Sequence, residues 1–305
     1  MTLIDICMCT FRRPHMVDAL ASLNALQVPE GHEVRVIVVD NDTEPTAKAA
    51  VQSYAETAPF AVVYLHRPAG NISIARNGAL DQSDAPLMAF IDDDEVVTRD
   101  WLVHLVQTHR DTGAGVVLGP VDATYLDSAP GWMKRGAFHN TRPVWVKGQI
   151  KTGYTCNVLL DRGQAAFDGL RFDLNKGRTG GEDTDFFSTL FDRGVAFAYA
   201  AQALVTEVVP EHRAQLSWLA ERRRRMGQTQ AAVYYMDRPL SGRIKAMALS
   251  VAKAGFCMAG ALLMYPIAHR KNAWYLRGML HIGVLGAMLG GKTVVPYGLS
   301  DTTAN

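Results

Sequence analysis

Four short apolar runs fall within the first 91 residues: "LIDICMCT", "EVRVIVVD", "AVVYLH" and "APLMAFI". Helix-patterned segments fill the gaps between them. Pro14 suits the first position of a helix over "PHMVDALASLNAL", a second helix is expected near 44–57, and "GNISIARNGALDQS" opens on Gly and Asn and continues as a helix. Runs as apolar as "EVRVIVVD" fit parallel strands buried on both faces. The order β-α-β-α-β-α-β leaves few foldable solutions, and an α/β doubly wound, mostly parallel sheet is the expected one. Such sheets bind ligands beyond the carboxyl ends of their strands. That rule selects Thr10 to Arg13, Asp40 to Asp42, the loop before Asn71, and Asp92 to Asp94, and places them along one edge.

The last of these groups is an unbroken acid run, Asp92-Asp93-Asp94-Glu95, with no basic residue inside it. Neighbouring carboxylates repel and raise one another's pKa unless a cation sits between them. Hard oxygen ligands select Mg²⁺ or Mn²⁺, ions usually held by one or two carboxylates plus substrate phosphates. A metal ion at the acids, holding a diphosphate, is therefore expected; the plainer alternative is a solvated acidic turn. Asp40 ends the second strand, where a carboxylate can accept hydrogen bonds from a ribose or a base. Neither G-x-G-x-x-G nor G-x-x-x-x-G-K-[ST] follows the first strand, which argues against a nicotinamide cofactor and against a P-loop ATPase or kinase; "GAMLGGKT" near the end of the chain fits the second pattern by spelling but follows an apolar helical run and not a strand.

The middle of the chain is less regular. "GVVLGP" and "TGYTCNVLLD" read as strands, with a loop-rich stretch containing Trp132 and Trp145 between them. Gly180-Gly181 precede a helix whose first turn holds Glu182, Asp183 and Asp185, which by themselves would pass for ordinary first-turn acids. "VAFAYAAQALVTEVV" is a strand pair or bend, and "AQLSWLAERRRRMGQTQAAVYYM" a helix carrying Arg222 to Arg225. Cys7, Cys9, Cys156 and Cys257 lack zinc-site spacing and read as reduced thiols. The N-terminus shows no signal-peptide pattern.

"ICMCTFRRP", "VIVVDND", "GNISIARNGAL", "AFIDDDE" and "GGEDTDFF" stand in the order and at roughly the spacing of family 2 glycosyltransferases, over about residues 3–230. The chain resembles most its bacterial exopolysaccharide branch, in particular the succinoglycan-type glucosyltransferases. The resemblance implies a GT-A fold, and an inverting, Mg²⁺- or Mn²⁺-dependent transfer of a hexose, glucose in this branch, from a UDP-sugar. The acceptor it implies is an oligosaccharide on a polyprenyl diphosphate lipid. It assigns Thr10, Arg12, Asp40, Asn71, Arg76, Asp92 and Asp93 to the donor, and Asp94 with Asp92 to the metal. Asp183 matches the general base, with Glu182 beside it. Arg222, Arg225, Trp145 and Tyr154 are candidates for contacts to diphosphate or acceptor. Many relatives of this kind carry a metal-binding His where this chain has Thr206; the alternatives are that Glu207 or His212 substitutes, or that the metal relies on the aspartates and water. "ERRRRMGQT" lacks the Trp of the processive synthases, which favours addition of a single sugar.

A GT-A domain is expected over 1–237, nucleotide-binding to about residue 120 and acceptor-facing beyond, followed by a basic apolar helical tail over 238–305. That tail holds eight Lys/Arg and a single acid, Asp301, a net +7 in a chain of net +1. Its uncharged runs, "AGFCMAGALLMYPIA" and "GMLHIGVLGAMLGG", are short of the roughly 20 residues a spanning helix needs. Lys253, Arg270, Lys271, Arg277 and Lys292 flank them, so in-plane association with the cytoplasmic face of the inner membrane is expected. No nucleic-acid partner is expected. The competing readings are a sugar-phosphate nucleotidyltransferase and a catalytically dead saccharide-binding scaffold.

Overall fold

The structure is a computed structural model and describes residues 1–291; Lys292 and Asp301 lie outside the described residues. The chain divides into two compact units, 1–122 with 141–207, and 123–140 with 208–291. In chain order the elements are β1 (Thr2–Thr10), α1 (Met16–Ser22), β2 (His32–Asp40), α2 (Lys48–Ala55), β3 (Ala61–His66), α3 (Ile72–Gln82), β4 (Leu87–Asp92), β5 (Glu95–Val97), α4 (Trp101–Thr112), β6 (Val116–Leu118) and β7 (Val121–Tyr125). There follow α5 (Gly131–Gly136), β8 (Trp145–Val146), β9 (Gln149–Ile150), β10 (Asn157–Asp161), α6 (Glu182–Asp192), β11 (Phe197–Tyr199), β12 (Val205–Val209), α7 (Leu216–Tyr234), α8 (Leu240–Leu263) and α9 (Ala268–Met288).

In the first unit, the described residues form a seven-stranded sheet of order β11-β6-β10-β4-β1-β2-β3. It is parallel except for β10, which runs against both β4 and β6. The α/β, mostly parallel fold expected from the alternation is present. Successive side chains of each strand point to opposite faces. Ile4, Ile6 and Met8 of β1, with Val34, Val36 and Val38 of β2, pack with Leu20 and Trp101 on one face. Cys7, Ile37, Val39, Met88 and Phe90 pack with Ala75, Phe186 and Phe187 on the other.

Two local expectations shift. Met16 N–H donates to Arg13 O, closing a turn around Pro14, so α1 begins at Met16. Of the run 152–161, only Asn157–Asp161 pairs as a strand. The four cysteines are free, with Cys7 and Cys257 buried.

The second unit is helical. α7 and α8 both pack on α9. The α7–α9 approach is so close that a Cβ at Gly227 would lie 2.0 Å from Leu280 O, and one at Gly283 2.0 Å from Arg224 O. The expected boundary at 237 is therefore not where the chain divides: α7 shares its core with the segments that follow it. The tail helices also correct the reading of two short apolar runs. α8 continues through Arg243, Lys245 and Lys253 as one helix of 24 residues. At 1.5 Å per residue that is roughly 36 Å, against a hydrocarbon core of about 30 Å. By length and composition α8 is long and apolar enough to cross a membrane. It buries one stripe, Ala246, Ser250, Ala254 and Cys257, and leaves Leu249, Val251, Phe256, Leu262 and Leu263 exposed.

Candidate active site

The sheet register sets the strand ends side by side. Thr10 lies opposite Asp40, Asp40 opposite His66, and Cys9 opposite Asp92. Polar groups gather here because each parallel strand runs out of its buried pleat at this edge. Thr10 Oγ1 donates to Asp93 Oδ2 at 2.7 Å, and Arg13 Nη1 stands 3.8 Å from Asp94 Oδ2. Burial, then Asp94, pushes Asp93 up to about 6, with the Thr10 hydrogen bond opposing. Asp92 is pushed up to about 8, mainly by burial; Arg76 opposes the shift, while Asp94, Asp93 and Asp183 add to it.

These carboxylates are short of positive charge. The donor chemistry suits a hard divalent cation: Asp92 and Asp94 are carboxylates at a strand end, and Asp94 adds to the shift of Asp92. Within 4.8 Å, ligand atoms of Asp92 also meet those of Glu95 and Cys156. Glu95 is buried and accepts Asp92 N–H. The Cys156 thiol is pushed well up by burial and by Glu95 and Asp92, so it stays protonated and is a poor partner for such an ion. Thr206 pairs with Val96 in the small sheet, and its neighbour Glu207 lies opposite Glu95. Glu207 helps raise Glu95 and Cys156, so it belongs to the same acidic group. His212 is exposed and lies in the second unit.

The sign of these shifts yields an expectation. Asp92 and Asp93 hold protons in the folded state that an unfolded chain releases near pH 4. Their contribution to stability therefore falls as pH rises through their folded pKa values, towards 8. A bound cation offsets that loss. Mn²⁺ should raise the thermal midpoint more at pH 8 than at pH 5; an equal rise at both would detach the metal from these acids.

Glu182 and Asp183 open α6, where Gly181 adopts φ 97° and turns the chain into the helix. Arg76, on α3, donates through Nη1 to Glu182 Oε1 at 2.5 Å and to Asp183 Oδ1 at 2.7 Å. The guanidinium is buried and lies over the Phe172 ring, 5.6 Å from its centroid. Burial works against its charge, but Asp183, Glu182 and Asp92 outweigh it and hold the guanidinium protonated. Thr155 gives Asp183 a backbone N–H and a hydroxyl, at 3.3 and 3.2 Å. The Asp183 side chain is 25% exposed and that of Glu182 only 5%. Burial, then Asp183, raises the Glu182 pKa, and its Oε2 has no hydrogen-bond partner.

The assigned residues have partners within the protein. Asp40 is fully buried and accepts from Asp42 N–H, Ala47 N–H and the Tyr64 hydroxyl, contacts that shape its own loop. Asn71 caps α3 by accepting from Ser73 and Ile74 N–H and donates to Leu174 O; it too is a structural anchor. Arg12, at φ 54°, donates to both oxygens of Asp42 at 2.9 and 3.0 Å. Burial raises the Asp42 pKa, but Arg12, Thr43 N–H and the Thr46 hydroxyl bring it below the usual carboxylate value. Arg76 grips the α6 acids. Tyr154 spends its hydroxyl on Gly119 O at 2.7 Å. Trp145 stands 57% exposed on the β8–β9 hairpin. In the second unit Arg222 lies over Trp218, which stacks on His139, while Arg225 Nε is buried without a partner. Thr155 and Glu95 are neighbours of these acids to which the sequence reading gave no role, and only the acid run pointed towards Glu95; Glu207 was named there only as a substitute for the histidine.

Residues 5–166 match the model of glycosyl transferase family 2. The chain belongs to that family. It is 49% identical over 301 residues to the succinoglycan biosynthesis protein ExoM of Rhizobium meliloti (strain 1021), covering 99% of this chain and 97% of that one. The glycosyltransferase AglE of Haloferax volcanii is 25% identical over 215 residues, covering 70% of this chain and 68% of its own. Among solved structures, the mannosyltransferase PcManGT from Pyrobaculum calidifontis, in complex with GDP-Man and Mn²⁺, superposes with a TM-score of 0.64 at 17% identity, covering 95% and 88% of the two chains. S. aureus TarS 1–349 in complex with UDP-GlcNAc gives 0.53 at 15%, covering 98% and 99%. Family 2 membership sets aside the nucleotidyltransferase reading, and these neighbours agree with the GT-A-like fold.

Proposed function

We propose that this family 2 glycosyltransferase moves a single hexose, glucose in our reading, from a UDP-sugar to a polyprenyl diphosphate-linked oligosaccharide. The transfer is inverting and metal-dependent. It takes place at the cytoplasmic face of the inner membrane during exopolysaccharide assembly of the succinoglycan type. The observation that carries the mechanism is the placing of Asp183. It is close enough to raise the Asp92 pKa, and Arg76 and Thr155 hold it with one edge exposed. A single base facing a strand-end acid group suits a one-step displacement at an oxocarbenium-like centre. The near-full-length likeness to a succinoglycan biosynthesis protein supports the pathway, and GDP-Man and UDP-GlcNAc in the structural neighbours agree with a nucleotide-sugar donor.

Asp92 and Asp94 would hold Mg²⁺ or Mn²⁺, with Glu207 the nearest substitute for the expected histidine. Bound there, the ion supplies positive charge against the departing diphosphate. Thr10 fixes Asp93, and Arg12 fixes Asp42, so the loops around the donor keep their shape. Asp183 takes the proton of the acceptor hydroxyl. Glu182 stays enclosed and anchors Arg76.

Asp94→Asn should weaken UDP binding in Mn²⁺ by tenfold or more, about 1.4 kcal/mol. Without metal, wild type and variant should bind alike. Calorimetry decides, and equal affinity in Mn²⁺ would remove Asp94 from the metal site. Membranes holding the protein, given a panel of UDP-sugars and lipid-linked acceptors, should yield a β-linked product from an α-linked UDP-hexose; an α-product would overturn single displacement.

A further inference from the structure

The helical unit contains a cavity of about 330 Å³, set among α7, α8 and α9 and the turn after α8. Leu216, Met258, Ala261, Leu262, Tyr265 and Tyr275 make its walls, almost wholly apolar. Polar contacts come from two consecutive residues of α9, Lys271 and Asn272. Lys271 Nζ lies 5.3 Å from the Tyr265 ring centroid. Asn272 is 3% exposed, and its carboxamide oxygen has no hydrogen-bond partner.

Three features point to one kind of occupant. The walls select hydrocarbon, since a polar ligand would lose its water and recover little. The cavity adjoins exposed apolar surface: Leu262, Leu263 and Tyr265 are each at least 70% exposed. Of the cations on α8 and α9, helices without Asp or Glu, Lys271 lines the cavity and Arg270 adjoins it in sequence, a complement to an anionic head. An amphiphile with a hydrocarbon chain and a phosphate end meets all three.

We propose that this cavity receives the proximal part of the isoprenoid chain of the prenyl diphosphate-linked acceptor, with Lys271 at its phosphate end. The inference rests on the lipid-linked acceptor of the proposed function and adds where the lipid is held. It makes the helical unit an acceptor-binding element besides a membrane contact.

The test uses the full-length protein in detergent and a farnesyl diphosphate bearing a terminal diazirine. Cross-links mapped by mass spectrometry should fall on Met258, Ala261, Leu262, Tyr265 or Tyr275. Unlabelled prenyl phosphate should compete for them, and phosphatidylglycerol should not. Ala261→Trp fills the cavity, and Leu262→Glu puts an anion on an exposed part of its wall where folding is not at stake. Either should lower cross-linking at least fivefold without changing UDP affinity. Cross-links spread along the Leu249–Phe256 surface, insensitive to Leu262→Glu, would overturn the proposal, as would equal competition by phosphatidylglycerol. A separate arm compares turnover of wild type on a lipid-linked saccharide with that on the same saccharide lacking the chain. Equal turnover would sink the lipid-acceptor reading itself. A wild type that prefers the lipid-linked form, with variants that share its preference, would sink only the cavity's role.

Discussion

Asp183→Asn should lower turnover by about 10²–10⁴-fold, the usual contribution of a positioned general base, and leave UDP binding nearly intact. With its oxygen in the Oδ1 position the amide can keep the hydrogen bonds from Arg76 and from the Thr155 hydroxyl, and it loses that from Thr155 N–H. It loses proton affinity as well, so the defect should appear in kcat and not in the dissociation constant for UDP. Glu182→Gln is the companion variant. Its side chain is 5% exposed, so an acceptor hydroxyl has little access to it. Loss of activity in Glu182→Gln with full activity in Asp183→Asn would reverse the two roles.

Arg76→Met should be the most destabilising single change at the site. The guanidinium is the buried cation shared by Glu182 and Asp183, and it also counters the charge at Asp92. Removing one partner of a buried ion pair typically costs about 3–5 kcal/mol, because the other charge is left in a poor dielectric. Denaturant titration should show that loss near neutral pH. It should shrink as pH falls, because Glu182, whose pKa is already raised in the native protein, can then take up a proton. Arg76→Lys keeps the charge but not the fork, and should lie between the two. A stability unchanged by Arg76→Met would mean that the α3–α6 pairing is absent in solution.

Much of this was legible from the chain. The alternation of apolar runs and helical segments gave the parallel sheet, and the strand-end rule brought Thr10, Asp40 and Asp92 to one edge, as the register shows. The direction in which a strand-end carboxylate points was not legible. Asp40 and Asp92 look alike in sequence, yet one turns inward to Ala47 N–H and Tyr64 and the other joins the acid group. The bond from Arg76 to Asp183 joins segments far apart in sequence, where local pattern says nothing. The reversed direction of β10 is invisible for the same reason, since apolar content does not encode strand polarity. The length of α8 was not legible either, because Lys253 interrupts the uncharged run without interrupting the helix. A lysine on a helix can carry its charge away on a long stem while the backbone continues unbroken.

The helical unit is assembled from two separate stretches of chain. Met133 of α5 shares a core with Leu219 of α7 and Leu276 of α9. During synthesis α5 leaves the ribosome long before α9, and that core has no other half until nearly the whole chain is made. Its closure is a high-contact-order event, slower than the local pairings of the sheet. The helical unit is therefore not a detachable appendage. A chain cut after Arg238 would strip α9 from α7 and uncover Gly227 and Leu219, so the truncated protein should aggregate instead of becoming a soluble catalytic fragment.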